Sequence, residues 1–132
     1  MQHGSLAFRV VAEVPVLRVE RTGTPDPRQL KAHCFAIVEE AHRRGARRLL
    51  VDERGMDGWM PSGLDTMLVY REIVREAQSA GLTDVPMRIA VLTLSQDLED
   101  LHFLAQGAVG VGLDMAYFEV EDDALAWLGV RR

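Results

Sequence analysis

Residues Arg47 to Leu64 read RRLLVDERGMDGWMPSGL, and the fold turns on how this stretch is parsed. Leu49, Leu50 and Val51 form a short apolar run of the kind that makes a buried strand, and Asp52 follows as the expected strand end. Gly55 to Pro61 then reads as a loop carrying two methionines and a tryptophan, and Ser62-Gly63-Leu64 opens a helical pattern. A strand that feeds a helix through such a loop is the unit of an open α/β sheet. There, sites form at the carboxyl end of a strand and the amino end of the next helix.

Upstream, Leu6 to Val14 and Val16 to Arg21 are rich in β-branched and apolar residues. Pro15 cannot donate to a ladder, so it belongs at a turn, and the two runs read as an antiparallel pair. Asp26 followed by Pro27 is a helix start, a capping oxygen and then a residue with no N–H to leave unpaired. Leu30, Cys34, Ile37, Val38 and Ala41 recur at helical spacing, and Gly45 ends that helix. Downstream, a second helix runs from Ser62 or Gly63 to about Ala80, with Gly63, Met67, Tyr70, Val74 and Ala77 on its inner stripe. Leu64 and Leu68 lie off that stripe, beside Arg71 and Arg75, so this helix carries more apolar surface than one buried face needs. Met87 to Leu94 is apolar at nearly every position, which suits a central strand covered on both faces. A third helix starts at Ser95 and stops at Gly110 and Gly112; Met115 to Val120 is a last strand, and Glu121 to Leu128 a terminal helix.

The order ββαβαβαβα implies right-handed crossovers and a mostly parallel sheet. The expected fold is therefore α/β: a mixed five-stranded sheet with an N-terminal antiparallel pair, then parallel strands (three of the five parallel), and four helices mainly on one face. Leu49–Val51 and Ile89–Leu94 are expected to be adjacent, central and parallel. Residues 6–130 form one domain, with 1–5 a polar leader outside it. Because the strands look covered on both faces while the helices lie mainly on one, a homodimer is the expected cover for the other face.

At 132 residues, 48% apolar and 27% charged, the chain is an ordinary globular domain. Its net charge of -5 disfavours nucleic acid, since no broad face would neutralise phosphates. The basic cluster His42, Arg43, Arg44, Arg47 and Arg48 falls at a helix end, where cations complement the dipole. The single cysteine, Cys34, excludes an internal disulfide and reads as a buried thiol on the apolar stripe. No membrane insertion is expected, because no apolar run approaches spanning length, and no secretory signal pattern is present; a cytoplasmic location is inferred from these absences.

The element order and the residues from Leu49 to Leu64 resemble the STAS (SpoIIAA-like) domains, the anti-sigma-factor-antagonist fold. Those domains carry a strand ending in Asp, a loop with an apolar residue, then Asp-Ser-Ser-Gly-Leu at a helix start. Asp52 matches the strand-end Asp, and Ser62, Gly63 and Leu64 match the last three residues of the motif. The resemblance implies that Ser62 is the serine a partner kinase phosphorylates. Met60 stands where the family has Asp, and Pro61 where it has Ser or Thr. The C-terminal half, with RIAVLTL and EDDALAWL, resembles a divergent bacterial STAS/SEC14-like branch.

A serine ahead of a helix either caps it or carries a phosphate held by the free N–H groups, and both readings stand for Ser62. Met56, Trp59, Met60, Leu64 and Leu68 form one apolar contact patch, or Trp59 folds back as a lid over the core. Asp52, Asp57 and Asp65 lack a histidine, cysteine or lysine tied to them by spacing, so capping and solvated roles outweigh acid–base or metal chemistry. His33 and Cys34 are helix neighbours that point about 100° apart and cannot share a metal. Gly107, Gly110 and Gly112 end a helix instead of opening one, which is the wrong geometry for a phosphate loop. No nucleophile–base pair supports a hydrolase, and no cofactor or metal is expected.

The sequence thus points to a non-enzymatic regulatory module that binds a protein partner, a kinase or regulatory protein, through residues 55–68. Asp52, Met56, Asp57, Trp59, Met60, Gly63, Leu64 and Leu68 are its expected contact residues. The alternative is a small apolar or lipid-like ligand held between that loop and the second helix, as the SEC14-like side of the resemblance implies.

Overall fold

A computed structural model describes residues 6–24, 26–56, 63–81, 87–94 and 114–130; from 63 to 70, only Leu68 is described beyond the backbone. Among these residues the order is β1 (Ala7–Ala12), β2 (Leu17–Gly23), α1 (Pro27–Arg43), β3 (Arg48–Met56), α2 (Gly63–Ser79), β4 (Arg88–Leu92), β5 (Asp114–Phe118) and α3 (Glu121–Trp127). The helix expected from Ser95 lies outside the described residues.

The five strands form one sheet in the order β1-β2-β3-β4-β5. β1 and β2 are antiparallel, Val10 opposite Val19, and meet at a turn whose Val14–Pro15 bond is cis. β2, β3, β4 and β5 all run parallel, four strands where three were expected. The α1 crossover is the reason: it returns the chain to start β3 in the direction of β2. Leu49 pairs with Leu17 on one side and Ile89 on the other, so β3 and β4 are adjacent and interior as their apolar runs required.

Local chemistry sets the helix ends. Asp26 Oδ1 accepts from Arg28 N at 2.9 Å, and Pro27 occupies the first turn of α1. Gly45 and Gly81, with φ of 69° and 73°, follow the ends of α1 and α2 in a left-handed conformation that side chains resist. Lys31 of α1 bridges Glu72 and Glu76 of α2 at 3.2 and 2.6 Å, holding the two helices side by side.

The sheet divides two cores by strand parity. Leu17, Val19, Leu49, Val51, Ile89, Val91, Met115 and Tyr117 face Ile37 and Ala41 of α1 and Ile73 of α2. On the opposite face Val16, Leu50, Ala90 and Leu92 pack against Ala124, Leu125 and Leu128. The terminal segment of the same chain therefore closes the apolar middle of the second face. Beyond it the face is ionic, with Arg9 paired to Glu20 at 3.0 Å. Among the described residues α3 supplies cover for this face: it packs on β4 and β5 and presents its apolar stripe to Leu50, Ala90 and Leu92.

Candidate functional site

The segment expected to carry function leaves the sheet at β3 and re-enters as α2. β3 does not end at Asp52. Gly55 and Met56 still pair with Thr22 and Gly23 of β2 across an irregular step, so the strand runs four residues further. Those pairings satisfy backbone groups that an early loop would leave open. Asp57, Trp59, Met60 and Ser62 lie outside the described residues. Gly63 and Leu64 begin α2, so Ser62 is the residue just ahead of the helix in the chain. Met56 is half-buried, while Leu68, as its position off the inner stripe required, is 51% exposed beside exposed Arg71 and Arg75.

Asp52 sits on the α3 side of the sheet and is held by arginines. Arg18 Nη2 reaches Oδ2 at 3.0 Å; Arg54 donates from Nη2 to Oδ2 at 2.7 Å, from Nε to Oδ1 at 2.9 Å, and from its backbone N at 3.1 Å. Burial pushes the Asp52 carboxyl up, but the Arg54 and Arg18 hydrogen bonds outweigh it and hold the group below its ordinary range. Arg18 Nη1 continues to Glu121 at 2.8 Å, in the first turn of α3. Asp52 thus links β2, β3 and the terminal helix, and both its oxygens are engaged by guanidinium groups. Among the described residues no cluster of three acidic, histidine or cysteine side chains has the geometry to hold a metal.

On the other face lies a buried polar group that the sequence reading did not find. Arg21, 5% exposed, donates from Nε to His33 Nε2 at 3.0 Å and pairs through Nη1 with Glu53 at 3.2 Å. Glu53 also takes a hydrogen bond from the buried Thr93. Phe8 meets the His33 ring edge-on, with centroids 5.6 Å apart. Burial first, and the Arg21 charge second, push His33 down to about 4, so the ring is neutral and accepts. Burial pushes the Glu53 carboxyl up, as it does the Cys34 thiol. A signal was present: Arg21 shares parity with Leu17 and Val19, and Glu53 with Leu49 and Val51. Ending β3 at Asp52 hid the second half of it. The cluster lies at the carboxyl end of β2, β3 and β4, the edge where open α/β sheets place their sites. Its Nη2 atom is buried and has no hydrogen-bond partner.

The basic cluster after α1 is used within the fold. Arg43 and Arg44 pair with Glu40, Arg44 also with Glu13, and Arg48 Nη1 donates to the Leu128 carbonyl at 3.3 Å. No helix among the described residues is long and apolar enough to cross a membrane.

Among the described residues, a mixed sheet with one leading antiparallel strand, two helices on one face and a terminal helix on the other defines the class of domain. The chain belongs to the SpoIIAA-like family, whose model matches residues 16–129. Among solved structures it is similar to an anti-sigma factor antagonist from Mycobacterium paratuberculosis, with 15% identity, a TM-score of 0.57 and 95% of each chain covered. It is also similar to an uncharacterized protein with a SpoIIAA-like fold from Shewanella loihica, at 18% identity and a TM-score of 0.51, covering 97% of this chain and 96% of that one. At these identities the likeness is one of fold. No curated protein matches the chain.

Proposed function

We propose that this protein is a non-enzymatic regulatory module that binds a protein partner through residues 55–68. The observation that carries the reading is Leu68, 51% exposed on a helix whose inner face is already buried through Ile73, Val74 and Ala77. An apolar side chain left over on the element that follows the family's Ser-Gly-Leu motif is a contact residue in search of a surface. The anti-sigma factor antagonist among the structural neighbours supports a partner that is itself a protein. The chemistry of the described groups supports a non-catalytic role. Asp52 is neutralised by Arg18 and Arg54, and the accepting nitrogen of His33 is taken by Arg21, so the two described groups best placed as bases are engaged.

Ser62 is the proposed switch. A phosphate there would bring roughly two negative charges to the start of α2, where backbone N–H groups tolerate them. A partner's apolar surface would have to desolvate that charge, so binding falls while the fold survives. Met60, in place of the family's Asp, removes a carboxylate from the recognition motif, so a kinase would have to read the loop differently.

Capture from the source cell with tagged protein tests this. Wild type and Ser62→Ala should retain the same protein, and Leu68→Asp and Ser62→Glu should lose it at unchanged melting temperature. Leu68→Asp capturing the wild-type set would sink the surface, and Ser62→Glu doing so would sink the switch alone.

A further inference from the structure

The outward side of α2 carries its charges unevenly. Glu72 and Glu76 are both drawn to Lys31 of α1, at 3.2 and 2.6 Å. Arg71 and Arg75 are exposed, and among the described residues neither has an ion-pair or hydrogen-bond partner. An α-helix turns about 100° per residue, so Leu68, Arg71 and Arg75 fall within about 60° of one another, on the side away from Ile73, Val74 and Ala77. Arg71 and Arg75 are one turn apart, with their Cβ atoms about 6 Å from each other. One exposed apolar side chain thus stands beside two unpaired guanidinium groups, in a chain whose net charge is -5. The carboxylates that could neutralise such a pair from the same helix are turned to α1, because Lys31 draws them there.

We propose that this face of α2 docks an acidic segment of a partner protein, with one apolar side chain on Leu68 and two carboxylates on Arg71 and Arg75. The inference rests on the reading of Leu68 as a partner contact and adds the chemistry of what it meets. Arginine suits the task, because its planar fork takes a carboxylate through two parallel hydrogen bonds. A basic segment would set like charges together across the interface. A wholly apolar partner would bury two guanidinium groups unpaired. A nucleic-acid backbone would use the arginines but leave Leu68 without a contact, and would meet Glu72 and Glu76 on the adjoining flank.

A random peptide library displayed on phage, selected on the full chain, tests this. Peptides with an apolar residue flanked by Asp or Glu should be enriched, and Leu68→Asp should lose them. Arg71→Glu with Arg75→Glu should weaken a selected peptide, made synthetically, by about tenfold or more, since two exposed ion pairs are lost and repulsion replaces them. Arg71→Gln with Arg75→Gln removes the charge without reversing it and should weaken the peptide less, at unchanged melting temperature, because both side chains stand in solvent. If the Glu form loses its fold, the proposal stands or falls on the Gln form. Enriched peptides that need Leu68 but are neutral or basic, or that bind the Gln form as tightly as wild type, would overturn the acidic class and leave the partner surface standing. Peptides indifferent to Leu68→Asp, or a library that yields none, would remove the surface itself and this inference with it.

Discussion

His33 and Glu53 titrate in opposite directions around one arginine, and this gives the molecule a defined response to acid. His33 has its pKa depressed to about 4 in the fold against 6.5 unfolded. The unfolded chain therefore binds the extra proton first, and the contribution of His33 is full above pH 6.5 and lost as pH falls toward 4. Glu53 is raised, so its burial penalty is relieved as pH falls through its folded pKa, partly opposing the histidine. The neutral acceptor is what Arg21 requires, and glutamine supplies one that does not titrate. His33→Gln should flatten the fall in melting temperature between pH 6.5 and 4, removing a loss on the order of 2 kcal/mol after allowance for solvent screening. An unchanged slope would remove His33 from the acid response.

At the scale of elements, α3 decides how the sheet is closed. It is only seven residues long, too short to persist alone, so tertiary contacts hold it. Leu125 and Leu128 are 5% and 2% exposed against Leu50, Ala90 and Leu92. Trp127 packs on Phe118 at 5.8 Å and lies 4.0 Å beneath the Arg88 guanidinium. Glu121 anchors the first turn to Arg18. Leu128→Ala should cost about 2–4 kcal/mol in urea unfolding. Glu121→Gln, which removes a half-exposed ion pair and one first-turn charge, should cost about 1 kcal/mol or less. If the two cost the same, the ionic anchor and not the apolar stripe would be holding α3.

For the whole molecule, the second face of the sheet is the one whose apolar middle α3 covers. With α3 docked, its middle is apolar and covered, and its flank is a lattice of Arg9, Glu20, Arg18, Asp52 and Arg54. A charged flank discourages a flat apolar interface there. A chain ending at residue 120 would expose Leu50, Ala90 and Leu92 together, a contiguous apolar patch that needs a cover. Sedimentation should show that truncated chain self-associating more strongly than the full one. Equal association of the two would mean that this face plays no part.

Residue types and their spacing determined the alternation of strands and helices, the capping of α1 by Asp26 and Pro27, and the interior placement of Leu49–Val51 and of the first four residues of the Ile89–Leu94 run; β4 ends at Leu92, and Leu94 is 70% exposed. These are local or periodic properties: a proline after a capping aspartate or an unbroken apolar run has the same meaning in any α/β chain. The outward position of Leu68 was legible for the same reason, since helical spacing alone sets it off the inner stripe. Tertiary structure alone decided the rest. That β3 continues past Asp52 depends on β2 offering Thr22 and Gly23 as partners. That α3 crosses to the second face depends on which strands stand in the middle. The partners of Asp52 come from β2, from β3 and, beyond Arg18, from the terminal helix. The cluster of Arg21, His33, Glu53 and Thr93 joins β2, α1, β3 and the residue just past the end of β4. A buried charge is stable only where all its partners converge, and convergence of that kind is a property of the folded sheet, which no single stretch of the chain contains.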